Sequence, residues 1–186
     1  SKADLAFVMH IISCLAENGT AAIVEFPGVL YRGGAEAKIR KYLLDGNFID
    51  AVIQLPPDLF FGTSIATCII VLKKSKTDNK VLFIDAAAQF VRQGTSNTLM
   101  LPNQQAILDA FATRKDTPHF AALVDHSTIK DNEYKLTVSS YVKEADTQQL
   151  VDITQLNIDI AGIVSRQAKL RAEIDKIVAD LKADQT

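Results

Sequence analysis

Two consecutive phenylalanines stand in a segment that does not bury aromatic rings easily: Leu55-Pro56-Pro57-Asp58-Leu59-Phe60-Phe61-Gly62-Thr63-Ser64-Ile65. The two prolines lock φ and withhold two backbone donors, so the chain leaves any strand ladder there and enters a loop. Successive side chains of an extended loop point to opposite sides, which prevents Phe60 and Phe61 from burying on one face. A loop ring either caps a sheet edge or offers a face on which a nucleobase stacks, a contact worth about 1 to 3 kcal/mol per base. The residues alone leave both uses open. A second candidate set is cationic: Arg32, Lys38, Arg40 and Lys41. Such a group is either a solvated helix face or a set of contacts to a DNA backbone.

Other chemical templates are absent. Gly28, Gly33 and Gly34 have the spacing of neither a dinucleotide fingerprint nor a phosphate loop, and they read as turn glycines. His10, His119 and His126 show no ligand spacing with one another or with Cys14 and Cys68, so no metal is expected. Two cysteines, one in a helical stretch and one in a strand stretch, make no disulfide scaffold and suit a reducing cytoplasm. With 20 basic and 22 acidic residues the net charge is −2, without the overall positive field of an autonomous nucleic-acid binder. Any contact with DNA must be local or shared with a partner. The apolar run Cys68 to Leu72 is far short of the roughly 20 residues that span a bilayer, and no membrane is expected.

The elements that must position these residues follow from periodicity. Leu5, Val8, Ile12 and Leu15 predict a helix stopped by Asn18-Gly19, and Thr20 to Phe26 a strand closed by Pro27-Gly28. Ile39, Leu43 and Leu44 predict a second helix ending at Asp45-Gly46, before a strand from Phe48 to Leu55. This alternation predicts right-handed crossovers and a parallel sheet between helices. No helix fits between Leu55 and the next strand, Thr67 to Lys73, so that connection is expected to be a hairpin-like antiparallel return. A strand at Val81 to Asp85 and a helix at Asn103 to Arg114 complete an α/β part over residues 1–115. Residues 116–146 read as a mixed connecting segment with strand-length pieces such as Leu136 to Val142.

Residues 147–186 differ in kind. Ile153, Leu156, Ile160, Ile163, Gln167, Leu170, Ile174, Ile177 and Leu181 alternate spacings of three and four, a heptad seam with one polar position that can set register. A terminal helix folded back on its own domain is one reading. At about 1.5 Å per residue, however, this helix outruns a domain of this size, which favours an intermolecular coiled coil or bundle.

The stretch Ala21-Ala22-Ile23-Val24, Pro27-Gly28-Val29-Leu30-Tyr31-Arg32-Gly33-Gly34-Ala35-Glu36 and Lys38-Ile39-Arg40-Lys41-Tyr42-Leu43 resembles the modification (methyltransferase) subunit of type I restriction-modification systems. The likeness continues through Asp50-Ala51-Val52-Ile53, the Leu-Pro-Pro-x-Leu-Phe run with Gly62-Thr63-Ser64-Ile65, and Cys68-Ile69-Ile70-Val71-Leu72-Lys73-Lys74. Phe83-Ile84-Asp85-Ala86, Asn132-Glu133-Tyr134-Lys135-Leu136 and Ser139-Ser140-Tyr141-Val142 are similar to its downstream signatures. The match covers residues 1–143, while the heptad tail agrees in kind rather than in sequence.

The resemblance implies the C-terminal part of a DNA adenine-N6 methyltransferase that uses S-adenosylmethionine. Its class I, Rossmann-like α/β fold has a mostly parallel sheet with an antiparallel last strand, here followed by a long C-terminal helix. In that family a glycine-rich cofactor loop and an Asn/Asp-Pro-Pro-Phe/Tyr motif lie earlier in the chain. Leu55-Pro56-Pro57-Asp58 is no substitute, because leucine cannot accept the hydrogen bonds of the target amine. The chain is therefore expected to carry no catalytic residue and to be inactive alone, and its opening Ser1-Lys2-Ala3-Asp4 reads as that of a fragment. In related adenine methyltransferases the loop before the antiparallel strand supplies an aromatic that packs on the extruded base, a position that falls on Phe60, with Phe61 as second candidate. The implied partners are the specificity subunit on the Ile153 to Leu181 seam, the restriction subunit through it, and double-stranded DNA in the assembled cytoplasmic complex. A non-catalytic helical docking module and an unrelated small α/β nucleotide-binding protein are the alternative readings.

Overall fold

Strands β2 (Ile49–Gln54), β3 (Cys68–Lys73) and β4 (Lys80–Asp85) each carry an uninterrupted apolar run of three to five residues, as strands covered on both faces do. The computed structural model describes residues 3–143 and 153–183. In it these strands occupy the middle of a five-stranded sheet in the order β1-β3-β2-β4-β7, with β1 at Thr20–Glu25 and β7 at Ala121–Asp125 on the edges. The fold is α/β. Helices α1 (Asp4–Cys14), α2 (Ala35–Asp45) and α4 (His126–Asp131) supply Leu5, Val8, Ile12, Leu43, Leu44 and Ile129 to one core, against Val52, Ile70, Leu72 and Phe83. Helix α3 (Leu101–Thr113) packs Ile107 and Ala110 on the opposite face, against Ala51, Ile53, Leu82 and Ile84. The alternation of β4, with Val81 and Phe83 in one core and Leu82 and Ile84 in the other, makes the sheet the divider between them.

The pairing departs from the parallel sheet that helix-strand alternation predicts. Among the described strands only β2 and β4 pair in parallel; β3 runs antiparallel to both β1 and β2, and β7 antiparallel to β4. Strands β1 and β2 do run in the same direction, as their connection through α2 requires, but they are not neighbours. The loop of residues 55–67 contains no crossover helix, so the chain turns back and β3 slots between them, paired along its whole length with β1 from Glu25↔Cys68 to Thr20↔Lys73. The outer edge of β1 has no partner among the described strands.

Several boundaries also differ. Helix α1 stops at Cys14, short of the expected Asn18, because Leu15 turns extended (ψ 133°) and its carbonyl accepts a bond from Lys74 Nζ at 2.6 Å. The sheet continues past residue 115 through β7, and α4 follows it directly. Leu136 to Val142 forms no strand. A 3₁₀ turn at Val138–Ser140 buries Leu136, Val138 and Val142 instead, and Leu136 N–H donates to Leu30 O at 2.8 Å. A short hairpin, β5 (Val91–Gln93) with β6 (Ser96–Thr98), stands between β4 and α3.

The chain divides into two compact units, residues 1–145 and 146–186. The second holds α5 (Ile153–Ala183), 31 residues without a proline. Its seam residues Leu156, Ile160, Ile163, Leu170, Ile174 and Ile177 are exposed, whereas the side chains of Ile153 and Leu181 lie outside the described residues. Among the described residues no helix is long and apolar enough to cross a membrane.

Candidate functional site

Strand β1 ends at Glu25, α1 begins at Asp4, and the loop of residues 55–67 passes beside both. Together they enclose a cleft of about 420 Å³, within the range of small-molecule sites. Its walls are apolar and aromatic, with Phe7, Val24, Phe26 and Phe60 all lining it and all partly exposed. Four polar side chains, Asp4, Glu25, Thr63 and Thr67, break this apolar lining, and two of them, Thr67 and Glu25, are buried. Thr67 is 5 % exposed and its Oγ1 has no hydrogen-bond partner, a deficit of about 1–3 kcal/mol for a buried group until something bonds it. Glu25 is 9 % exposed, and burial pushes its carboxyl above the usual range. The charges of Asp4 and Glu36 push the same way, against a hydrogen bond from the Phe26 N–H. A cleft lined by aromatic side chains, with an unpaired hydroxyl and a buried carboxyl, suits a flat heteroaromatic ligand carrying both donors and acceptors.

The cleft separates the two phenylalanines. Phe60 lines it at 43 % exposure, whereas Phe61 is fully exposed and does not line it. The loop is closed at its root by Leu55 N–H to Thr67 O at 2.9 Å and by Gln54 Nε2 to the same oxygen at 3.1 Å. Asp58 (φ 53°) and Gly62 (φ 77°) turn the backbone on either side of the rings. Cys68, at the start of β3, is no nucleophile: burial and the nearby Glu25 charge push its thiol up to about 12, and its Sγ donates to Glu25 O at 3.4 Å.

The cationic set is not brought together as one surface. Arg40 is 2 % exposed; its Nε donates to Tyr134 O at 3.0 Å and its Nη1 to Val29 O at 2.9 Å. The expectation of a DNA contact there is corrected: the guanidinium joins α2 to two distant backbone segments and presents no surface to a phosphate. Arg32 lies over Gly28, between Asp4 at 3.7 Å and Glu36 at 3.6 Å. Lys41 is bound to Asp45 at 2.6 Å and to the Tyr134 hydroxyl at 2.9 Å, and Lys38 is exposed. His126 faces Asp45 at 3.2 Å and His119 the Lys143 carbonyl at 2.9 Å; among the described residues no cluster suited to a metal occurs.

Gly28 is covered by Arg32, and Gly33 and Gly34 face open space. Reading the sequence missed Glu25, Thr67, Phe7 and Phe26. The one available signal was a glutamate placed inside the apolar run Ile23-Val24-Glu25-Phe26.

The family model N-6 DNA Methylase matches residues 1–149. The type I restriction enzyme MpnII methylase subunit of Mycoplasma pneumoniae is 49 % identical over 99 % of the chain, which covers 34 % of that protein. The MjaVIII methylase subunit of Methanocaldococcus jannaschii is 33 % identical over 84 % of the chain and 28 % of its own length. Among solved structures, the type I restriction-modification methyltransferase subunit of Streptococcus thermophilus superposes with a TM-score of 0.76 at 43 % identity, over 77 % of this chain and 31 % of its own. The chain thus spans about a third of the length of the curated relatives it matches. With the α/β sheet, the antiparallel β3 and the aromatic loop in place, the chain belongs to the N-6 DNA methylase family.

Proposed function

We propose that this chain forms one wall of the target-base pocket in a DNA adenine-N6 methyltransferase, the modification subunit of a type I restriction-modification complex. The observation that carries the reading is the cleft at the end of β1 with Phe60 on its wall and Glu25 and Thr67 among its lining. An adenine cannot be methylated inside the duplex; it must be extruded, stacked and held by its edge. Phe60 supplies the stacking face, and the Thr67 hydroxyl and the Glu25 carboxyl supply polar groups to the ring edge. S-adenosylmethionine would provide the methyl group from residues outside this chain, so the chain by itself transfers none. Lys38, exposed on α2, is the cation we assign to phosphate contact, since Lys41 is held by Asp45 and Tyr134.

The seam of α5 suits a helical partner, which we assign to the specificity subunit, with the restriction subunit joining through it. Phe60→Ala in the complete subunit tests the pocket. Loss of one stacking face worth about 1–3 kcal/mol lowers methylation roughly 5- to 150-fold with the fold intact. Unchanged turnover and unchanged extrusion of a 2-aminopurine placed at the target position would remove Phe60 from the pocket. Light scattering of the chain mixed with a specificity subunit tests the seam: a chain that remains monomeric sinks the docking reading.

A further inference from the structure

The loop that carries Phe60 has little internal structure. Between its root and its tip only Thr63 N–H to Phe60 O at 3.5 Å and Ile65 N–H to Thr63 Oγ1 at 3.2 Å hold it together. Its support comes from a hairpin more than thirty residues downstream. Asn97, in β6, is 5 % exposed although the strands around it are largely exposed, and its polar groups are used on the loop or on the residue that braces it. Its backbone N–H donates to Asp58 O at 2.9 Å and its Nδ2 to Pro57 O at 2.8 Å. Its Oδ1 accepts from Arg92 Nη1 at 3.1 Å, and the same Arg92 nitrogen donates to Asp58 Oδ2 at 2.9 Å. The bonds meet at Pro57 and Asp58, where the backbone enters the left-handed region at φ 53°. The direction of the chain two residues before Phe60 is therefore set from β5 and β6.

We infer that Asn97, braced by Arg92, is a positioning residue that fixes where the Phe60 ring stands in the cleft, although neither residue lines it. The inference rests on the base-pocket reading of Phe60. Two three-residue strands are too short to be stable alone. This hairpin is instead set between β4 and α3, both packed in the core, and α3 is capped by Asn103 Oδ1 accepting from Met100 N–H at 3.0 Å. A fixed base and a buried amide at the tip make it a bracket. The Pro57 and Asp58 carbonyls it holds are the last main-chain atoms bonded across to another element before the rings.

The test uses the complete subunit assembled with its specificity subunit, on duplex DNA with adenine or 2-aminopurine at the target position. Asn97→Ala frees the loop, and a displacement of the ring of about 1 Å lowers kcat/KM for methylation on the order of tenfold to a hundredfold. Arg92→Ala, at a more exposed position, gives a smaller loss and serves as the second variant if Asn97→Ala folds poorly. Asn97→Asp keeps the acceptor for Arg92 but loses the donor to Pro57, and falls between. A purely structural role would lower activity equally in any background. Positioning through Phe60 requires that the Asn97→Ala loss largely disappear when Phe60 is already alanine. Hydrogen exchange of residues 58–66 reads the bracket independently of catalysis and is expected to accelerate in Asn97→Ala. Unchanged exchange, or the same loss with and without Phe60, overturns the inference. Faster exchange with a silent Phe60→Ala overturns instead the base-pocket reading on which it stands.

Discussion

Replacing Arg40 separates a structural cation from a DNA-binding one, and its cost can be worked from the contacts. The guanidinium donates to Val29 O and Tyr134 O, and both bonds are charge-assisted, worth about 1.5–3 kcal/mol each. Burial disfavours the charge and the neighbouring Glu36 offsets part of that cost, so the group is held by geometry rather than by an excess of attraction. Arg40→Ala leaves two carbonyls without donors and a void at a site that is 2 % exposed. Leaving two buried carbonyls unsatisfied costs about 1–3 kcal/mol each, roughly 4 kcal/mol together, a large part of the roughly 5–15 kcal/mol that stabilises a domain. With a urea slope of about 2 kcal/mol/M, the midpoint drops by roughly 2 M. Arg40→Lys retains the charge but offers one compact donor in place of a fork, and is expected to recover less than half of the loss. The assay is a urea titration of the 186-residue chain followed by circular dichroism, beside DNA binding of the assembled subunit. A variant that keeps its midpoint while losing affinity for DNA refutes the bracing role and returns Arg40 to the backbone-contact set.

Three further outcomes are expected. At pH 8 a thiol reagent labels Cys14 rapidly in the native chain and leaves Cys68, buried and with its thiol pushed up to about 12, unlabelled; two equally fast thiols would contradict the burial of β3. The Glu25 carboxyl titrates higher in the folded chain than in the unfolded one, so its ionisation costs stability as pH rises from the ordinary carboxylate range through the raised value. Glu25→Gln therefore raises Tm at pH 7 and gives little at about pH 3, where both states are protonated; an equal gain at both pH values would show that charge is not the cause. Ile163→Asp with Ile174→Asp places two carboxylates on the seam of α5 and abolishes the complex with a specificity subunit on gel filtration, while the melting of residues 1–145 is unchanged.

Local signals carried much of this fold. The Leu5, Val8, Ile12 stripe and the apolar strands β2 to β4 are legible because burial on one or two faces forces a period. The antiparallel return after Leu55 is legible because a loop without a helix cannot make a crossover. What escaped depends on partners distant in sequence. The insertion of β3 between β1 and β2 is a choice of neighbour that no local period encodes. Arg40 stands three and four residues before Leu43 and Leu44, on the face that α2 buries, so the helical period sets it apart from Lys38 and Lys41; what the period cannot give is its partners, the distant carbonyls of Val29 and Tyr134. Strands β5 and β6, Val91-Arg92-Gln93 and Ser96-Asn97-Thr98, are too short and polar to show alternation. The aromatic loop was visible, but the assignment of Phe60 to the cleft rather than Phe61 comes from the turn at Asp58 and Gly62.

Strand β1 brings a hazard of its own. Thr20-Ala21-Ala22-Ile23-Val24-Glu25 has no proline and a single charge, at its last residue, and among the described strands it bonds only to β3. Its outer row of N–H and C=O groups is a template on which any extended chain can add, including another copy of the same strand. Recovery of this chain from denaturant is then a contest between first-order folding of the sheet and second-order capture of the open edge by neighbours. Yield falls with protein concentration, and a lysine placed at Ala22 on the exposed side restores it.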